Sequence, residues 1–128
     1  MPRISHFEIH ADNPEKIAAY YTAVFGWKFQ HMPQMNYWLI DTSHGDEPGI
    51  NGGLVKRMGA KPGDGGPVNA FVCTATVPSV DAYFEKAVKA GGTVALPKMP
   101  IPGVGWIAYC KDPDGNIFGL HQQDPKAK

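Results

Sequence analysis

Two stretches of the chain alternate apolar and polar positions, and each is followed by an apolar stripe at helical spacing. Ile4-Ser5-His6-Phe7-Glu8-Ile9-His10 alternates with a period of two, the mark of a strand with one buried face. Ile17, Tyr20, Tyr21, Val24 and Phe25 then share one stripe of a helix that opens at Asn13-Pro14 and ends at Gly26. Asn caps helix N-termini well, Pro is tolerated at the first helical position, and Gly suits the residue after a helix. The same signals return in Phe71-Val72-Cys73-Thr74-Ala75-Thr76-Val77. They are followed by Val80, Tyr83, Phe84, Ala87 and Val88, then Gly91-Gly92. Each half continues as short strands, so one βαβββ unit is used twice. The pattern predicts a single α+β domain over residues 1–128 with curled mixed sheets. Module one covers about 1–57, a linker about 58–66, and module two about 67–124. Neither sheet can bury itself alone, so the two should curl around a shared hollow, where function is sought.

The remaining signals place the other elements. Trp27-Lys28-Phe29 starts a return strand and Tyr37-Trp38-Leu39-Ile40 is the next, with a loop over Ser43 to Gly49. Ile50 to Lys56 reads as a strand. Its Gly52-Gly53 pair predicts a bulge or a point where something approaches the backbone closely. Arg57 to Pro67 is rich in Gly and Pro, and no Gly-Lys-Ser/Thr or helix follows to make it a phosphate loop. In module two, Pro78 or Ser79 opens the helix and Gly91 closes it. Thr93 to Leu96 is a strand whose end Pro97, Pro100 and Pro102 make irregular. Trp106 to Cys110, a turn over Asp112 to Asn116, and Ile117 to Gln122 follow. Asp124 to Lys128 reads as a frayed tail.

Composition narrows the functions. Twelve basic and twelve acidic side chains balance, and no basic block interleaves with aromatics, which argues against nucleic acid as a partner. The start, Met1-Pro2-Arg3, leads into a strand pattern, and no long apolar run predicts a secretory signal or a membrane span. A cytoplasmic protein with no membrane partner is expected. Cys73 and Cys110 form no C-x-x-C pair and read as buried free thiols.

Several segments in order carry a family resemblance. They are His6-Phe7-Glu8-Ile9, Val24-Phe25-Gly26-Trp27, Asn51-Gly52-Gly53-Leu54, Val80-Asp81 through Ala90-Gly91-Gly92, Gly103-Val104-Gly105-Trp106, and Asp112-Pro113-Asp114-Gly115-Asn116-Ile117-Phe118-Gly119-Leu120. Together they resemble the vicinal oxygen chelate superfamily, which includes glyoxalase I (lactoylglutathione lyase), bleomycin-resistance proteins and extradiol dioxygenases. The nearest resemblance is to its small single-domain glyoxalase-related proteins. It implies a glyoxalase-like half-barrel cleft, a small-molecule ligand and a homodimer. It does not fix a reaction, because one fold hosts many.

Metal-dependent members of that superfamily hold a divalent ion with side chains from the first and last strands of each module. Of the positions that match, His6 carries the usual histidine. The fourth strand offers no Glu or His in Ile50 to Val55, the fifth strand has Val72, and the last strand has Gly119. No metal or other cofactor is therefore expected. An atypical divalent-metal site of His6, Glu8 and His121, two histidines and one carboxylate, is the alternative, since strand alternation turns these residues away from the helices.

Without a metal, a carboxylate in a partly apolar cleft serves as a base. Glu8 and His6 are thus the candidate catalytic residues, for a lyase or isomerase that resembles lactoylglutathione lyase. Such chemistry needs other donors for the oxyanion; Thr74, Thr76, Asn51 and the amides near Gly52-Gly53 are the candidates. His10, Thr74, His121, Trp38 and Trp106 are candidate ligand contacts, and Tyr37 and Tyr109 could also line the cleft. A non-catalytic binding module, as in antibiotic sequestration, is the second reading. A structural interaction domain is the third.

Overall fold

The computed structural model describes residues 4–128; Met1-Pro2-Arg3, which the sequence places ahead of the first strand, lie outside the described residues. Strand β1 (Phe7–Ala11) leads into helix α1 (Pro14–Phe25). Then come β2 (Lys28–Met32), β3 (Tyr37–Asp41) and β4 (Gly52–Lys56). A single 3-10 turn at Pro33–Met35 joins β2 to β3 and ends on Asn36 at φ 48°. The second unit repeats the order with β5 (Thr74–Thr76), α2 (Val80–Lys89), β6 (Thr93–Ile101), β7 (Gly105–Lys111) and β8 (Ile117–Gln123). The α+β fold of two βαβββ modules is thus as the sequence predicts. The chain divides into two compact units, one up to Lys61 and one from Pro62 on, within the Gly/Pro-rich segment.

Each unit builds a four-stranded mixed sheet, in the orders β1-β4-β3-β2 and β5-β8-β7-β6. The pairs β1–β4 and β5–β8, at one edge of each sheet, are parallel, and the other pairs are antiparallel. The first helix forms for the reasons read from its sequence. Asn13 Oδ1 accepts from Lys16 N–H at 3.2 Å, and Gly26 takes φ 74° while its N–H reaches Thr22 O. Ile17, Tyr20, Tyr21 and Val24 of α1 are buried, as are Trp38, Ile40 and Leu54 of its sheet. The ring of Phe7 packs 5.8 Å from Trp27, which stacks on Tyr21 and Phe25.

Several expectations are corrected. The first strand starts at Phe7, where its parallel partner Gly52 starts, and not at Ile4. Likewise β5 spans only Thr74–Thr76, the length over which it pairs with β8, and Phe71 is 94% exposed. Alternation shows which way side chains point, not how far a partner strand runs. The stripe of α2 is narrower than its spacing suggests, with Val80 and Ala87 buried but Val88 exposed. The sixth strand runs through Pro97 and Pro100 to Ile101, with register irregularities between Val94 and Met99. It lies at the sheet edge, where a missing N–H costs no ladder bond. Cys73 is exposed and only Cys110 is buried, where burial pushes its thiol pKa up; both are free.

The tail is not frayed. Asp124 N–H donates to Val104 O, Gly103 N–H donates to Ala127 O, and Ala127 is 4% exposed. The Asp124 carboxylate adds bonds from Trp106 Nε1 at 3.0 Å and Lys126 N at 2.9 Å.

Candidate functional site

Register fixes which side chains share a face. In the first sheet Phe7, Ile9 and Ala11 alternate with Glu8 and His10. The rows Glu8–Gly53–Leu39 and His10–Val55–Tyr37 run across the three strands on the face opposite α1. On this face His10 Nε2 lies 2.7 Å from Glu8 Oε1. Both side chains are about half exposed, 44% for His10 and 46% for Glu8. Tyr37 does not point at its cross-strand neighbour but leans diagonally, and its hydroxyl reaches His6 Nε2 at 3.1 Å.

Gly53 makes this lean feasible. A Cβ there would collide with the hydroxyl and ring of Tyr37, and one on Gly52 would meet the carbonyl oxygen and ring of Phe7. The glycine pair therefore marks close approach, by the Tyr37 side chain at Gly53 and by Phe7 at Gly52, and not a bulge, since β4 keeps an unbroken register with both neighbours. Burial, then the negative charge of Glu8, raises the Tyr37 pKa, so the phenol keeps its proton at neutral pH. At the end of β3 the Asp41 carboxyl is held below the usual carboxylate range by the Ser43 hydroxyl at 2.6 Å and its N–H at 2.9 Å.

The second sheet presents a matching row, Thr74–Gly119–Tyr109, followed by Thr76–His121–Ile107. A Cβ on Gly119 would fall 2.6 Å from Thr74 Oγ1 and 3.0 Å from the Tyr109 ring. A Cβ on Gly105 would collide first with the backbone carbonyl of Gln122 and then, at 2.9 Å, with His121 Nε2. A cavity of about 290 Å³ opens beside it, lined by Gly103, Val104, His121, Gln123 and Pro125.

The candidate residues thus fall into three groups. His6, Glu8 and His10 share one face of unit one, and Thr74 and His121 share one face of unit two. Trp38 and Trp106 sit on the other, helix-side faces. Trp38 is buried and stacks on His31 at 4.3 Å. Trp106 shares its face with Gln122, whose Oε1 takes the Val80 N–H at the start of α2, and Lys98 Nζ sits 4.7 Å above its ring.

The residues present do not fit the metal centre that the family resemblance implies. The strand position that faces His6 is near Asn51, whose Oδ1 accepts from Thr42 N–H at 2.9 Å. At Gly119 the space a ligand side chain needs is filled by Thr74 and Tyr109. Among the described residues, no three His, Cys, Asp or Glu side chains gather to hold a metal ion. Of the atypical set, His6 and Glu8 belong to unit one and His121 to unit two. Tyr37 is the functional candidate that the sequence undervalues. The Gly52-Gly53 signal announced a close approach but not which side chain makes it.

Comparison with known proteins agrees with this fold. The family model described as Glyoxalase/Bleomycin resistance protein/Dioxygenase superfamily matches residues 3–120. The chain belongs to that superfamily. It is 29% identical over 122 residues to CFP32 of Mycobacterium bovis and of Mycobacterium tuberculosis, a glyoxylase by name. The match covers 93% of this chain and 43% of the relative, so the chain spans less than half the length of these curated relatives. Among solved structures, a glyoxalase/bleomycin resistance protein/dioxygenase family enzyme from Burkholderia phytofirmans superposes with TM-score 0.71 at 16% identity. That match covers 96% of this chain and 100% of the other. A glyoxalase-related enzyme from Fulvimarina pelagi gives 0.70 at 17%, covering 100% and 98%. A manganese-bound point variant of the fosfomycin resistance protein FosX from Listeria monocytogenes gives 0.70 at 18%, covering 94% and 90%. At these identities the likeness is one of fold. Among the described residues, no helix is long and apolar enough to cross a membrane.

Proposed function

We propose that this chain is a glyoxalase-superfamily protein that binds a small molecule on the face bearing Glu8 and uses Glu8 as a general base without the family's metal centre. One observation supports the reading above others. The His10–Glu8 pair at 2.7 Å and the His6–Tyr37 pair at 3.1 Å stand together on one face of one sheet. A proton taken by Glu8 has an imidazole next to it to orient the carboxylate and carry charge. The test is a thermal-shift screen of small carbonyl compounds and acids on chelator-treated protein, followed by turnover assays on the hits with the wild type and Glu8→Gln. Turnover lost in Glu8→Gln supports the reading. A hit whose binding and turnover both survive the substitution overturns it.

Capture without turnover is the second reading. Leu39 beside Gly53 and Tyr109 beside Gly119 give each face apolar area on which a flat ligand could rest. It predicts hits that bind in a Glu8-dependent way and are recovered unchanged. Homodimer formation belongs to the same proposal, and sedimentation equilibrium tests it.

A further inference from the structure

We propose that Tyr37 donates a hydrogen bond to an oxyanion that develops on the substrate, which makes the substrate class a carbonyl compound with an acidic C–H beside the carbonyl. The proposal rests on the reading of Glu8 as base and supplies what that reading lacks. A metal-free enolisation needs a donor where charge appears, and such donors are among the largest contributions to catalysis.

The geometry points to Tyr37 over the other candidates. Its hydroxyl lies against Gly53, and Gly53 is the cross-strand partner of Glu8. Phenol and carboxylate are therefore neighbours on one face. Asn51 is turned to Thr42, and the backbone of Gly52 and Gly53 runs in the ladder between β1 and β3.

The hydrogen bonds fit this division of roles. Glu8 Oε1 is engaged by His10, and among the described residues Oε2 has no hydrogen-bond partner. With the His6 proton on Nε2, that N–H donates to the Tyr37 oxygen and leaves the phenol hydrogen for the substrate. Leu39, 43% exposed, flanks Gly53 from the other strand and offers an apolar rest for the carbon skeleton.

In the step itself, the C–H bond beside the carbonyl breaks and its proton passes to Glu8. The electron pair forms a carbon–carbon double bond as the carbonyl π pair moves onto oxygen. That oxygen takes the hydrogen bond from Tyr37. Return of the proton to the same carbon gives exchange or, at a stereogenic carbon, epimerisation. No oxidant or co-reactant is consumed.

Two probes test the proposal. The first is 2-tetralone in heavy water, with exchange of its acidic protons followed by proton NMR. Exchange should stand above buffer for the wild type, fall to background in Glu8→Gln, and drop about 100-fold in Tyr37→Phe. Gly53→Ala, which displaces the phenol without removing it, should match Tyr37→Phe. The second probe is 4-nitrophenolate binding to Glu8→Gln, whose amide imitates the neutral carboxyl present after proton transfer. Adding Tyr37→Phe should weaken that binding about tenfold while 4-nitroanisole, which bears no charge, binds both variants alike. A structural role for Tyr37 would weaken both ligands equally and overturn the proposal. If exchange is lost in Glu8→Gln but Tyr37→Phe stays within about threefold of wild type, the donor assignment fails and the Glu8 reading stands. If the wild type neither exchanges 2-tetralone nor, as Glu8→Gln, binds 4-nitrophenolate, the donor role and the carbonyl class are overturned. A Glu8-dependent hit of another class would still uphold the broader reading.

Discussion

The two sheets solve one packing problem in two ways. Each has a glycine in the strand next to its parallel edge strand, Gly53 in β4 and Gly119 in β8, and each glycine is overlaid by an aromatic ring and flanked by a polar residue of that edge strand. In unit one the ring belongs to Tyr37, which leans in diagonally, and the polar neighbour is Glu8. In unit two the ring belongs to Tyr109, directly opposite, and the neighbour is Thr74. The backbone architecture is shared, while the carboxylate and its two histidine neighbours occur in one copy only. A repeated fold can therefore keep a carboxylate on the face of one repeat and set hydroxyls and a lone imidazole, that of His121, on the matching face of the other.

The largest effect should come from the cores on the opposite faces, and it tests whether the two units are equally packed. Leu54 and Leu120 occupy matching fully buried positions. Leu54 lies between Ile9 and Trp38, and Leu120 between Ala75 and Ala108. Either leucine replaced by alanine should cost about 2–5 kcal/mol in urea unfolding. The loss should be smaller for Leu54, because the large neighbours Ile9 and Trp38 can move into the space more readily than two alanines can. A larger loss at Leu54 would mean that its surroundings are the more rigid.

The glycines come next. Gly119→Ala sets a methyl against the Thr74 hydroxyl and the Tyr109 ring, the first on a short side chain and the second met at its edge, and should cost about 1–3 kcal/mol. At Gly53 the obstacle is the far end of the Tyr37 side chain, which can rotate away. Gly53→Ala should then cost less than Gly119→Ala in thermal unfolding yet break the His6–Tyr37 bond, visible as a shifted His6 imidazole resonance. Equal stability losses with the His6 resonance unmoved would show that Tyr37 does not lie over Gly53.

Much of this was legible in the residues. The alternation around Phe7 and the stripe of Ile17, Tyr20, Tyr21 and Val24 yielded both the module and its orientation, because burial imposes those periods directly. The shared order of segments, from His6 to Leu120, pointed to the superfamily before any geometry was known. Strand ends were not legible, since Thr74–Thr76 and Thr93–Ile101 take their lengths from partners that lie elsewhere in the chain. The placement of Tyr37 was half legible. Gly52-Gly53 announced the close approach, but the diagonal lean depends on a cross-strand register that no local pattern states. The ordered tail was missed because Asp124 gains its meaning from Trp106, and the charge-rich ending carried no sign of that bond.

The helices extend the comparison at a smaller scale. Asn13 caps α1 and Ser79 caps α2, each accepting one N–H at 3.2 Å. Replacing either with alanine should cost about 1 kcal/mol. The consequence should be more local in α2, where only Val80 and Ala87 are buried, than in α1, which buries four large side chains. Hydrogen exchange should show the first turn of α2 fraying in Ser79→Ala, with α1 in Asn13→Ala losing protection more evenly along its length. Uniform loss in both would place α2 on an equally firm footing.

The smallest effect concerns acid. Asp124 in unit two and Asp41 in unit one are both held below the usual carboxylate range, Asp124 by the Lys126 N–H and then Trp106 Nε1, Asp41 by the hydroxyl and N–H of Ser43. A depressed folded-state pKa means that the stabilisation is present above the unfolded value, about 3.9, and is lost as pH falls through the lower folded value. The two carboxylates should nevertheless behave differently. Asp41 closes a turn within three residues, whereas Asp124 ties the tail to Trp106 across the loop that precedes β7. Asp124→Asn should therefore be less stable than wild type near neutral pH, with the gap closing on acidification below about pH 4. It should also speed exchange of the Gly103 and Ala127 amides. Asp41→Asn should close its gap over the same acid range without touching those amides. A gap for Asp124→Asn that stays constant down to the acid transition would mean that its carboxylate charge contributes nothing to holding the tail.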